Sequence, residues 1–115
     1  MTSVILVEFR LALLEIRQEL LESLGHPIVS VQGMAAAKRV NVSKALPGVI
    51  IIGHRASRHD RQELIRHFRH TALNVPILSL LGRDDKPFDD ADYNCPADDP
   101  PLWIRTVTLA LRGIE

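Results

Sequence analysis

Two short, unbroken apolar runs, Val4-Ile5-Leu6-Val7 and Val49-Ile50-Ile51-Ile52, constrain this chain more than any other feature. A third run, Val75 to Leu81, is interrupted only by Pro76 and Ser79. A strand with one wet face alternates apolar and polar residues, whereas a strand covered on both faces does not. These runs therefore call for a sheet with helices on both sides, and the segments between them supply the helices. Leu13, Ile16, Leu20 and Leu24 recur at helical steps among Glu15, Arg17, Gln18, Glu19 and Glu22, which predicts a helix with that stripe inward. Gly25 is expected to close it in left-handed backbone, and Pro27 to stop it from restarting.

The rest of the chain follows the same alternation. Ile28 to Val31 reads as a second strand, and Met34, Ala37 and Val40 as a helical face that Asn41, Val42 and Ser43 weaken. Pro47-Gly48 punctuates the chain before the central Val49–Ile52 strand. Asp60 with Glu63 reads as a capping box opening a helix with Leu64, Ile65 and Phe68 inward, ending near Thr71. Val75 to Leu81 is a fourth strand, with Pro76 tolerable only near its start. Gly82 to Asp92 is acidic and holds Pro87, so it reads as loop, and Asp92 to Cys95 as a brief fifth strand. Pro100-Pro101 then opens a last helix with Leu102, Ile104, Val107, Leu109 and Leu111 as its stripe and Trp103 as its anchor. The expectation is a single α/β domain over residues 1–115, a doubly wound parallel sheet of flavodoxin-like order 2-1-3-4-5. Any site then lies at the carboxyl ends of strands one and three.

A chain of 115 residues carries one hydrophobic core, and its net charge of zero gives no bulk attraction to nucleic acid or an anionic membrane. The start has no basic region, and its apolar run is too short for a secretory leader or a spanning helix. Cys95 is the only cysteine, so no internal disulfide forms. A cytoplasmic protein is expected.

Val4 to Gly25, Pro47 to Gly53, Val75-Pro76-Ile77-Leu78-Ser79-Leu80-Leu81-Gly82, and Ala91-Asp92-Tyr93 ending at Pro96 resemble the receiver domains of two-component response regulators, the CheY-like family. The resemblance covers nearly the whole chain and rests on patterning and spacing. It implies the 2-1-3-4-5 fold and a role in signalling. Receivers accept a phosphoryl group on an aspartate after strand three and hold Mg²⁺ with an acidic pair after strand one. They place a Ser/Thr after strand four and a Lys after strand five. By this resemblance the acidic pair falls on Glu8 and Phe9, the acceptor on Gly53, the hydroxyl on Leu81 and the lysine on Cys95.

Phosphoryl transfer depends on positioning and charge neutralisation, and these residues provide little of either. Glycine has no oxygen to phosphorylate, Glu8 beside a phenyl ring is a poor Mg²⁺ site, Leu81 has no hydroxyl and Cys95 no positive charge. The resemblance thus implies a degenerate receiver, not an enzyme, without cofactor or metal, that meets a protein partner independently of phosphorylation. Receivers also carry a full helix between strands four and five, for which Gly82–Asp92 is too short. That helix is expected to be shortened or absent, which alters the surface receivers use to form homodimers.

Charge is strongly polarised. Arg55, Arg58, Arg61, Arg66 and Arg69 face only Asp60 and Glu63, whereas Asp84, Asp85, Asp89, Asp90, Asp92, Asp98 and Asp99 face only Lys86. One reading is two solvated faces; the other makes the arginines a partner-binding surface, or pairs the two faces between copies. Nucleic-acid binding through residues 55–70 is a further alternative, without interleaved aromatics to support it. His54, His59, His67 and His70 lie in the same stretch, and His67 and His70 share a helical side, yet no known metal spacing is present. Phe9 is expected to plug the emptied pocket or simply to fill core. A flavodoxin-like ligand binder or enzyme using the crevice near Glu8, Gly53, His54 and Cys95 is the remaining alternative. No G-x-G-x-x-G, G-K-[ST] or G-x-S-x-G motif supports it.

Overall fold

The computed structural model describes residues 2–113. Five strands, β1 (Ser3–Glu8), β2 (Ile28–Gln32), β3 (Pro47–Ile52), β4 (Ile77–Leu81) and β5 (Tyr93–Pro96), form one parallel sheet in the order β2-β1-β3-β4-β5. The helices are α1 (Leu11–Glu22), α2 (Met34–Lys38), α3 (Val42–Ala45), α4 (Arg58–Thr71) and α5 (Pro100–Leu111). The expected fold class and strand order are those observed. β4 starts at Ile77 rather than Val75, since Pro76 has no N–H to give a ladder, and its carbonyl accepts from Ile50 instead.

Two apolar layers flank the sheet, as the unbroken runs require. On one face Val4, Leu6, Val49, Ile51, Leu78 and Leu80 pack with Leu21 of α1 and with Trp103, Val107 and Ala110 of α5. On the other, Ile5, Val7, Ile50, Ile52 and Ile77 pack with Ala37 of α2 and Leu64, Ile65 and Phe68 of α4. Gly25 does close α1 with positive φ (86°). The weak helix after Gly33 is two short pieces, the second capped by Asn41, whose side chain accepts from the Lys44 N–H at 3.0 Å.

Two helix readings need correction. In α1 the buried residues are Arg17 and Leu21, while Ile16 is 57% and Leu24 37% exposed. The stripe is rotated so that an arginine faces the sheet. In α4 the cap is Ser57, whose hydroxyl accepts from the Asp60 N–H at 3.1 Å, so the helix opens at Arg58 with Asp60 in its first turn.

Residues 82–92 contain turns and no helix. Phe88 from this loop fills the core in a helix's place, at 1% exposure. Asn94 of β5 holds it there, its amide oxygen accepting from the Phe88 N–H at 2.8 Å and its NH₂ donating to the Phe88 carbonyl at 3.1 Å.

Candidate functional site

Parallel strands all end at one edge of the sheet, and the loops that follow them gather there. Glu8 is the last residue of β1 and continues the alternation that points Leu6 toward α1 and α5. Its side chain is therefore driven inward, at 0% exposure. A carboxylate in that position needs a partner, and α1 provides it: Arg17 Nη1 donates to Glu8 Oε2 at 2.6 Å, with the Arg17 side chain itself 7% exposed. The pair is incomplete, because Glu8 Oε1 is buried without a hydrogen-bond partner. Burial pushes the Glu8 carboxyl above its ordinary range against the opposing pull of Arg17. Arg17 Nη2 also lies 3.5 Å from His54 Nδ1.

Gly53 follows β3 directly beneath this carboxylate. A Cβ added at Gly53 would sit 2.5 Å from Glu8 Cδ and 2.8 Å from Oε2, and closer still to Oε1. The space a side chain at 53 would use is already taken by the carboxyl group of Glu8. Phe9 does not plug it; Phe9 is half-buried against the α4-side cluster. Leu81 likewise packs at the margin of that cluster.

Of the residues singled out for the strand ends, Glu8, Gly53 and His54 are brought together, and Cys95 is not. Cys95 is buried in the layer under α5, its thiol 3.4 Å from Thr106 Oγ1. The crevice imagined for a ligand binder thus lacks its cysteine. Between His54 and Arg17 lies a small cleft of about 160 Å³, also lined by Leu81, Gly82, Arg83 and Asp98 among others, and His54 borders a second, wider cleft on its other side. Burial, with help from Arg17, Arg55 and Arg61, holds the His54 imidazole below its usual range and hence neutral near pH 7.

The basic stretch is not a free face. Arg61 is 3% exposed and grips Asp85 with both terminal nitrogens, at 2.8 and 2.9 Å. Asp85 also accepts from the Gly82 N–H at 2.6 Å, and these donors, Arg61 first, bring its pKa down to about 2. Arg58 donates to the carbonyls of Lys86 and Pro87 at 2.7 and 2.9 Å, and its guanidinium lies 4.1 Å from the Phe88 ring centre. Arg69 donates to the Asp90 carbonyl and to Asp92, at 2.6 and 2.9 Å for Nη2. The opposed charges of the sequence meet inside one molecule, fastening α4 to the 82–92 loop. Arg58, Arg61 and Arg69 are thereby occupied, and Arg55 and Arg66 remain exposed.

The histidines do not cluster as their spacing suggested. The one group of candidate metal ligands among the described residues is His59, Asp60 and Glu63, on the open first turns of α4. Its Glu63 is already paired with Lys38. His67 packs edge-on against Phe68, ring centres 5.2 Å apart, and His70 is exposed. No described helix is long and apolar enough to cross a membrane.

The fold has structural counterparts among solved proteins. The response regulator TrrA of Thermotoga maritima, solved as a complex with Mg²⁺ and BeF, matches with a TM-score of 0.80 over 96% of this chain and 99% of that one, at 16% identity. The signal receiver domain of a histidine kinase from Syntrophus aciditrophicus matches with 0.79 over 100% and 93%, at 20% identity. A response regulator receiver protein of Sinorhizobium medicae matches with 0.79 over 99% and 97%, at 19% identity. No protein-family model and no curated protein matches the sequence. The fold is that of the CheY-like receiver domains.

Proposed function

We propose that this chain is a receiver-like interaction module of cytoplasmic signalling that works without phosphorylation and is not an enzyme. The observation that carries the reading is the Glu8 carboxylate, held by Arg17 over Gly53. Where a receiver presents an acceptor aspartate to solvent and Mg²⁺, this chain has no side chain, and a buried ion pair occupies the space. The residues at the other expected positions do not replace what is lost, since Leu81 bears no hydroxyl and Cys95 is in the core. The output is then a constant surface offered to a protein partner. Arg55 and Arg66, exposed on or beside α4, are the residues of the basic stretch still free to contribute to it.

The test is intact-mass measurement after incubation with acetyl phosphate and Mg²⁺, with a receiver that carries its aspartate as the positive control. The expected result is no added phosphoryl group. A stoichiometric phosphoryl adduct on this chain would overturn the reading.

A further inference from the structure

Arg17, Arg58, Arg61 and Arg69 are all engaged with carboxylates or carbonyls. Arg10, Arg55 and Arg83 are not. Each follows a different strand, β1, β3 and β4, and each is exposed. Among the described residues none of the three takes part in an ion pair or a side-chain hydrogen bond. All three nevertheless line one cleft of about 510 Å³ at the carboxyl edge of the sheet, together with His54, Ser57 and Asp84.

We propose that this cleft is a binding site for a small phosphate-bearing molecule, held by Arg10, Arg55 and Arg83 without any divalent cation. The acidic wall does not cancel the arginines. Asp85 is committed to Arg61 and the Gly82 N–H, which leaves Asp84 as the remaining carboxylate lining the cleft. The backbone adds to the positive field. Arg10 is the N-cap of α1, which opens here with first-turn N–H groups outside the helical ladder, whereas the start of α4 is capped by Ser57 and carries Asp60. Neither cap position nor first turn of α1 carries an acid, and its cap makes no side-chain hydrogen bond. His54, on the cleft wall, is held below its usual range first by burial and then by Arg17, Arg55 and Arg61, with Asp85 opposing them. Forked guanidinium donors arriving from three strand ends suit a tetrahedral dianion better than a planar carboxylate, which one fork satisfies.

This site is distinct in its residues from the acceptor position at Gly53, and it rests on the reading that the edge takes up no phosphoryl group. Inorganic phosphate cannot transfer one, so failure to bind it leaves the mass test of that reading untouched. The experiment is a titration of the ¹⁵N-labelled chain with inorganic phosphate, then pyrophosphate, then a phosphoserine peptide, all in EDTA, followed by NMR. Saturable shifts of the Leu11, Arg55 and Arg83 amides are expected, with pyrophosphate tighter than phosphate and than the peptide. Arg55→Gln and Arg83→Gln, at exposed positions, should each weaken pyrophosphate binding about ten-fold without altering the melting temperature. Shifts that stay linear with concentration, or binding that both variants leave unchanged, would overturn the proposal. Tighter binding of the phosphoserine peptide would also overturn it, by moving the ligand from a free molecule to a protein-borne phosphate.

Discussion

The two buried arginines, Arg17 and Arg61, each pair with a carboxylate, and the two pairs behave in opposite ways. Arg17 and Arg61 are nearly equally buried, at 5% and 3% exposure. Their partners differ. The Glu8 side chain is fully enclosed, takes one short hydrogen bond from Arg17 and leaves Oε1 unpartnered, so desolvation dominates and its proton is held more tightly. The Asp85 side chain is 21% exposed and takes bonds from both arms of Arg61 and from a backbone N–H, so hydrogen bonding dominates and its pKa falls to about 2. Enclosure weighed against the number of donors to the carboxylate, rather than the presence of an arginine, decides whether such a pair favours the ionised form. The Asp85 pair is a fastener for α4 and the 82–92 loop. The Glu8 pair fills a hole at the strand ends and is stabilising only relative to losing one of its members.

The difference can be broken most forcefully at Arg17. Arg17→Met removes the ion-pair partner of an enclosed carboxylate and should destabilise the fold by about 3 kcal/mol or more at neutral pH in chemical denaturation. The loss should shrink in mild acid as Glu8 takes up a proton. Adding Glu8→Leu to Arg17→Met should recover most of the stability, because an apolar pair of similar bulk needs no desolvation. A double variant as unstable as the single one would mean that Arg17 matters for packing alone.

Asp85 should give a smaller effect, and its carboxyl contributes to stability with a pH sense opposite to that of the Glu8 carboxyl. Its folded pKa of about 2 lies below the ordinary 3.8, so its contribution is complete above that range and is lost as pH falls through it. Asp85→Asn should therefore cost about 1–2 kcal/mol at neutral pH, with the difference from the parent closing as pH drops from about 4 toward 2. Glu8, raised from 4.5 by burial, weighs on the fold as pH increases through and above that value. The parent should thus lose stability relative to Glu8→Gln on going from pH 4 to neutrality. A parallel pair of curves would contradict the assignment of Glu8.

Much of the fold was legible because the strands advertise it: Val4–Val7 and Val49–Ile52 have no polar residue to place outward, and both faces are covered as a consequence. The loop nature of 82–92 was legible from its acidity and Pro87, yet not that Phe88 would serve as its core anchor. The site was less legible. Gly53 and Glu8 stand out once the resemblance is drawn, but Arg17 was counted on the polar side of α1. A signal was available: Glu8 ends a strand buried on both faces and so demands a cation, and Arg17 shares a helical side with Leu14 and Leu21. The arginines of α4 misled for a different reason. Sequence shows that charges of opposite sign are numerous, but the separation of 24 positions between Arg61 and Asp85 hides that the two meet.

The central claim, that the Glu8 carboxylate occupies the place of a side chain at position 53, is tested most directly by a double-mutant cycle. Gly53→Ala should cost about 1–3 kcal/mol in the parent, since its Cβ would lie 2.5 Å from Glu8 Cδ and the held carboxylate would have to move. In a Glu8→Ala background the same substitution should cost little or nothing. Equal costs in the two backgrounds would contradict the account.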